Sequence, residues 1–302
     1  MLTKTPHLFD DATQVTAGDS CWQRRTSEDY WAFVGPFGGA TAATILRALL
    51  DHPQRAGDPL SLTVNFCAPV APGTFDLDVR LIKANRSTQH WSVEMTQDGG
   101  EVATFATAVF AARRPSWSNQ PAEFPGATAF EQTLPYAKIS IPWVKQYDFR
   151  FVEGEPKINA TPRAAPTSAY SKLWIGDRVA RKIDALSLMA MSDAFFGRIF
   201  HVKAKLVPFG TVSLTTYFHA DAEDLAAEDV SRVLAVADAN IFHKSYGDQT
   251  GKLWSPDGAC SRPRPRSRIS RLEFHGQVLV IDTPPSASRA VPVVKLDASD
   301  AR

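Results

Sequence analysis

Asp193 stands in LSLMAMSDAFFGRIF, where it is the sole carboxylate in a run of apolar residues. Leaving a carboxylate unpaired in such surroundings costs several kcal/mol. Burial is therefore expected to raise its pKa, and a hydrogen-bonding partner to oppose the rise. A carboxylate of this kind suits the holding and activation of a water molecule against a carbonyl carbon. The competing reading puts Asp193 on a helix face that meets solvent through Ser192 and Gly197. Thr211 opens the alternating segment TVSLTTYF behind Pro208-Phe209-Gly210, a turn that can aim its hydroxyl into a groove between helices. Thr at a strand start equally reflects β propensity. Ser213 and Thr215, two and four residues on, are expected on the face of Thr211 and able to replace it.

Other candidates carry less. Gly35-Pro36-Phe37-Gly38-Gly39 leads into a helix, where backbone N–H groups can polarise a carbonyl oxygen or meet a phosphate. The same glycines serve equally to let a helix and a sheet approach closely. Arg86, with Lys83 nearby, can meet phosphates, although exposed basic residues are usually a solvated face. His219 and His243 each follow an aromatic at a strand end, with no nucleophile or acid at a fixed offset, and read as structural. No HxxxH or HxH spacing supports a zinc hydrolase, and no GxSxG elbow supports a serine α/β-hydrolase.

The elements that position these residues need a core, and composition permits one. Apolar residues make up 44% of the 302, including 18 Phe and 7 Trp, so two domains of about 100–150 residues are expected and disorder is excluded. Lys plus Arg number 33 against 32 Asp plus Glu, which leaves no overall field to attract nucleic acid or an anionic membrane. Met1 to Asp11 holds no apolar stretch of signal-peptide length, and no window approaches a membrane span. A cytoplasmic chain without nucleic-acid partner is the expectation. Cys21, Cys67 and Cys260 lack CxxC spacing, and Cys21 and Cys67 read as buried, inert thiols in a reducing compartment.

Residues 39–51 form the first predicted helix, with Ala42, Ile45, Leu46, Leu49 and Leu50 on one stripe. Alternating segments at 60–66, 75–83, 90–96 and 101–111 follow, the last two joined through Gln97-Asp98-Gly99-Gly100, a hairpin signature. The second half repeats the order. A long apolar helix over 183–200 precedes strands at 211–218, 232–241 and from 252, where KLWSPDG mirrors VEMTQDGG and Asp257-Gly258 corresponds to Asp98-Gly99. A helix apolar on nearly every side, followed by an antiparallel meander, is what a sheet wrapped around a helix requires. The fold class is α+β: a double hotdog, with an N-terminal half at 1–116, a linker at 117–140, a C-terminal half at 141–272 and a tail outside the fold at 273–302. Two unrelated α+β domains are the alternative.

GPFGGATAATILRALL, then PLSLTVNFCAPVAPGTFDLDVRLIKANRSTQHWSVEMTQDGGEVATFATAVFAAR, resembles the type II acyl-CoA thioesterases, and the resemblance continues through LMAMSDAFFGRIF and FGTVSLTTYFHAD. It implies hydrolysis of fatty acyl-CoA to free acid and CoA without cofactor or metal, the acyl-CoA substrate as partner, and a site in the second half. There an Asp on the helix, a Thr or Ser on the next strand and a Gln on the last strand share a water. The first two fall on Asp193 and Thr211, and the Gln has no match. With such a substrate, the helix entry makes Phe37, Gly38 and Gly39 candidate substrate contacts, and Arg86 a candidate for the CoA phosphates. A hotdog protein that binds acyl-CoA without turnover is the competing class. Hydration of enoyl thioesters lacks the His and acid at motif spacing that it normally needs. A homo-oligomer is compatible with a free outer sheet face.

After Gly258 the pattern demands a last strand, yet Arg262, Arg264, Arg266 and Arg268 alternate there with Pro263, Pro265 and Ser267, which a buried strand does not accept. Back-translation offers a cause. With suitable codons, moving the frame back one base from Cys260 reads LLATATQIANFQA and then a stop, a strand of the expected kind with Gln at the register of Arg266. The expected glutamine is then lost by a frameshift.

Overall fold

A computed structural model describes residues 6–18, 21–157, 168–204 and 207–256 in full, and the backbone of 271–280. In chain order the elements are α1 (Leu8–Thr13), β1 (Thr16–Ala17), β2 (Trp22–Arg25), α2 (Gly38–Asp51), β3 (Asp58–Phe66), β4 (Thr74–Ala84), β5 (Thr88–Thr96) and β6 (Val102–Ala111). The second half adds α3 (Pro142–Lys145), β7 (Tyr147–Glu153), β8 (Ser171–Asp177), α4 (Ala185–Asp193), α5 (Arg198–Lys203), β9 (Phe209–Phe218), α6 (Ala222–Glu228), β10 (Arg232–Asp238), β11 (Phe242–His243), β12 (Tyr246–Trp254) and β13 (Arg271–Val280).

The alternation read along 60–111 forms β3 to β6, and the β5–β6 turn uses the residues its geometry requires. Asp98 and Gly99 take φ of 51° and 66°, a conformation that suits the right-handed twist of a hairpin and favours Asp-Gly. The strands join one antiparallel sheet in the order β1-β2-β4-β5-β6-β3-β9-β13-β12-β10-β8-β7. The repeat seen in sequence is thus a repeat in space: β4-β5-β6-β3 from one side and β10-β12-β13-β9 from the other meet at β3 and β9. LSLTVNF and TVSLTTYF are direct neighbours, with Thr63 opposite Thr215 and their hydroxyls 3.0 Å apart. The double hotdog expected from sequence is the architecture.

Helices α2 and α4 pack against each other inside the sheet. On α2, Ala42, Ile45, Leu46 and Leu49 are wholly buried and Leu50 packs against the same core. Ala40, Ala43 and Ala48 are buried too, so the helix is apolar nearly all round, as a helix wrapped by a sheet must be. Residues 122–130 run across the outer face of the second half, and Tyr136 and Ile139 beyond them turn into the main core. Trp174 Nε1 donates to the Thr128 carbonyl, and Phe124 and Phe130 pack with Trp174, Leu234 and Trp254. Among the described residues no helix is long and apolar enough to cross a membrane.

Several expectations are corrected. The helix read over 183–200 is two helices, because the chain leaves helical geometry after Asp193, with Ala194 at ψ 37° and Gly197 capping α5. Arg198, itself buried, donates to the Phe196 carbonyl that the break frees. Residues 273–280 belong to the sheet and not to a tail: RLEFHGQVLV forms β13, bonded to β12 and β9. The frame displacement read at 260–273 and the turn Asp257-Gly258 lie almost wholly outside the described residues. Cys67 is exposed and Cys21 half-buried, since Cys67 follows the last residue of β3. Strands β7 and β8 at the far edge were not anticipated.

Because β13 is the only pairing partner that β9 and β12 share, a proline in it removes a ladder donor from the middle of the sheet. Phe274→Pro is expected to lower unfolding stability by about 3 kcal/mol or more. Urea denaturation with unchanged midpoint would place these residues outside the fold.

Candidate active site

The break after Asp193 brings the C-terminus of α4 against the N-terminus of α2. Gly39 has room for no side chain there: a Cβ would lie 2.4 Å from the Ala190 carbonyl oxygen. A Cβ on Gly38 would lie 2.6 Å from Asp193 Oδ2. The glycine pair therefore acts by close approach, and its contribution of a donor goes to the carboxylate, for Gly39 N–H bonds Asp193. Phe37 caps α2, stacks on Trp143 with ring centroids 4.3 Å apart, and forms part of the wall beside the glycines.

The partner from the sheet is Thr211, whose Oγ1 donates to Asp193 Oδ1 at 3.4 Å. Strand alternation alone would not deliver it. Leu214 and Thr216 are buried, and Thr216 shares a hydrogen bond of 2.9 Å with Ser192 of α4, so even-numbered residues face the helices. Register with β13 slips between Ser213 and Thr211, leaving Val212 as the extra residue. Such a bulge re-aims the chain beyond it and turns Thr211 inward. Ser213 and Thr215, expected on its face, lie on the other: Thr215 meets Thr63 on the outer surface. Ser192 is wholly buried, and Asp193, half-buried, opens on the cavity and not through Ser192 on the outer surface.

Asp193 and Thr211 open on a cavity of about 590 Å³. Its walls are Phe37, Phe66, Trp143, Phe195, Phe196, Phe200 and Phe209 with other apolar groups, and the exposed Phe33 and Val34 stand at its rim. Among the described residues Asp193 is the one carboxylate in this lining. Burial is the main cause that pushes it up to about 7, against the opposing hydrogen bonds from Thr211 and Gly39. A base poised near neutrality, beside a hydroxyl and facing an apolar chamber, can activate water on a substrate held by its apolar part.

Arg86 and Lys83 are exposed near the β4–β5 turn and do not line the cavity. His219 and His243 are exposed as well and absent from the lining. Sequence reasoning missed Gln249, a buried residue of β12 in the cavity wall. The signal was available in YGDQTGKLW, where Gln249 shares the period-two face of Gly247, Gly251 and Leu253.

Residues 27–111 match the family described as the acyl-CoA thioesterase N-terminal domain, and residues 118–262 the family described as its C-terminal domain. No curated protein matches the chain. A solved hot dog fold protein of unknown function from Alicyclobacillus acidocaldarius is 35% identical, over 93% of this chain and 100% of its own, with a TM-score of 0.83. A putative thioesterase II from Thermobifida fusca is 16% identical over 90% and 97% of the two chains, TM-score 0.74. An acyl-CoA thioesterase II from Mycobacterium marinum is 13% identical over 90% and 98%, TM-score 0.67. At these last identities the likeness is one of fold.

The raised pKa of Asp193 has a measurable consequence. Folded, the carboxyl holds its proton up to about 7, whereas the ordinary value is 3.8. The native state therefore binds a proton that the unfolded chain has released, and stability falls as pH rises through that window by up to about 1.4 kcal/mol per unit. Asp193→Asn lacks this titration. Its melting temperature is expected to gain on the wild type steadily between pH 4 and 7 and to keep a constant lead above, by calorimetry. A pH-independent difference would mean that Asp193 is not desolvated.

Proposed function

Because the chain belongs to the acyl-CoA thioesterase family, we propose that it hydrolyses fatty acyl-CoA to free acid and CoA, with Asp193 as general base and Thr211 as its partner in holding water. The observation that carries this reading is the single carboxylate, raised to about 7 by burial, at the wall of an apolar cavity. The acyl chain lies among the aromatic walls. Asp193 accepts a proton from water as the water oxygen bonds to the thioester carbon, and the carbonyl pair moves onto oxygen. Collapse breaks the C–S bond. The departing thiolate, whose thiol has a pKa of about 8.5, takes the proton back from Asp193. A carboxyl near 7 serves both steps, since it is ionised enough to act as base and acidic enough to protonate a thiolate. Arg86, exposed and outside the cavity, is left in this reading to the nucleotide end of CoA.

The third group implied by the resemblance is a glutamine on the last strand. The register puts Val278 opposite Thr211 and Gly276 opposite Leu214, on the helix side, while Gln277 stands opposite Ser213 at an outer position. In our reading the expected amide is missing beside the water, as the displaced frame implies. Restoring LLATATQIANFQA and the stop from position 260 is then expected to raise turnover by about 10²–10³ and to raise the melting temperature. Equal rates in the two chains would show that the amide is not needed.

Thiol release from a series of acyl-CoA lengths tests the activity itself. Asp193→Asn and Thr211→Ala are each expected to reduce kcat by about 10²–10³, and the wild-type rate to rise with pH up to about 7 as Asp193 ionises. Tight acyl-CoA binding with no thiol release, in either the present or the restored chain, would favour a binding module.

A further inference from the structure

Gln249 is the one long neutral polar side chain in the cavity wall. It is 8% exposed, and its carboxamide makes no hydrogen bond to the described residues. Glutamines elsewhere in the fold behave differently. Gln89 is equally buried, and its amide closes onto the Ala56 N–H and the Gln54 carbonyl. Gln97 clasps the N–H and carbonyl of Ala71. The other polar groups of the cavity are also engaged: Thr211 with Asp193, and Thr41 with the Phe37 carbonyl. An amide that opens on the cavity without a protein partner is placed to meet something the cavity takes in.

Its position says which part of the ligand it meets. Gln249 is opposite Gly276 of β13, which is opposite Leu214 of β9; Thr211 lies on the neighbouring inner row, opposite Val278 and then Gly247. Two strand spacings and two residues along the strand separate the backbones of Gln249 and Thr211 by roughly 12 Å. Side chains stand off the same face of the sheet at both places, so an atom at Thr211 meets Gln249 only where the glutamine extends fully toward it. The strand position between Gln249 and Leu214 is a glycine. Where the apolar cavity takes the acyl chain, a thioester carbon held at Asp193 leaves Gln249 beside that chain, several carbons on.

Resting on the hydrolase reading above, we propose that Gln249 recognises a hydrogen-bonding oxygen carried by the distal part of the acyl chain. The preferred substrate class is then an oxygenated acyl-CoA of medium length, a hydroxyacyl or oxoacyl thioester, and not a plain fatty one. The carboxamide donates to such an oxygen and accepts from a hydroxyl. A plain chain displaces cavity water and leaves the amide unpaired. Sites built around a polar contact discriminate strongly against the analogue that lacks it.

The test compares kcat/KM for octanoyl-CoA, β-hydroxyoctanoyl-CoA and ω-hydroxyoctanoyl-CoA in the wild type and in Gln249→Leu. The wild type is expected to prefer the ω-hydroxy over the plain chain by about 10- to 100-fold, with no such gain for the β-hydroxy isomer, whose oxygen stays near Asp193. Gln249→Leu is expected to abolish or reverse the ω-hydroxy preference, and the ratio is the readout, whatever the absolute rate. Gln249→Met repeats the comparison if the leucine variant does not fold. Equal kcat/KM for plain and ω-hydroxy chains in the wild type, or a preference that survives both substitutions, overturns the inference while leaving hydrolysis intact. Absence of turnover with every substrate overturns the hydrolase reading instead. In that case calorimetric Kd values for the non-hydrolysable thioether analogues of the same three chains decide the role of Gln249 by the same ratio.

Discussion

A carboxylate held between two helix ends organises the centre of this molecule. Asp193 closes α4, whose last carbonyls disfavour a negative charge, and faces the N-terminus of α2, whose first amides favour one. The protein around it is apolar, so the balance leaves Asp193 raised to about 7. Every neighbouring feature follows from fitting that group in. Gly38 and Gly39 carry no side chains because a Cβ at either would strike Asp193 or the α4 backbone. Helix α4 stops at Asp193, and Phe195 and Phe196 beyond the break wall the cavity.

The sheet supplies the complement. Thr211 reaches Asp193 only because β9 carries an extra residue at Val212, and that slip occurs against β13. The strand that completes the sheet is also the strand that fixes the register of the catalytic candidate. Pairing of β3 with β9 ties the halves through Thr63 and Thr215, which explains why the two helices share one core and why the site draws on both. Phe37, Gly38 and Gly39 come from the first half, Asp193 and Thr211 from the second.

Much of this was legible in the chain. Period-two alternation gave β3 to β6 nearly to their ends, and Asp98-Gly99 fixed a turn whose positive φ values were demanded by the residues. The lone carboxylate in an apolar run identified Asp193 on solvation grounds alone. What stayed hidden has physical reasons. Ala194-Phe195-Phe196 is as apolar as the helix before it, so hydrophobic pattern does not reveal the break. A bulge leaves no compositional mark, and TVSLTTYF reads as unbroken alternation, which sent Ser213 and Thr215 to the wrong face. From Glu273 on, EFHGQVLV reads as tail because the Arg-Pro segment before it has already ended the pattern, although its own β-favouring residues fit the slot. Cys67 was judged by residue type, and burial depends on where a strand stops.

The slot between β9 and β12 shows how strongly the rest of the fold constrains a segment it does not determine. Two strands that end a meander on either side of a vacancy present unpaired donors and acceptors to each other, and whatever chain follows β12 is drawn between them. Backbone pairing is nearly indifferent to side chains, so RLEFHGQVLV satisfies the ladder as LLATATQIANFQA would. Chemistry is not indifferent. A strand selected for a site delivers a chosen group at the inner position beside Thr211, whereas the strand present delivers Val278 and Gly276 there. The fold can therefore be complete whichever side chains that strand brings to the inner face, and the register leaves a glycine, Gly276, between Gln249 and Leu214.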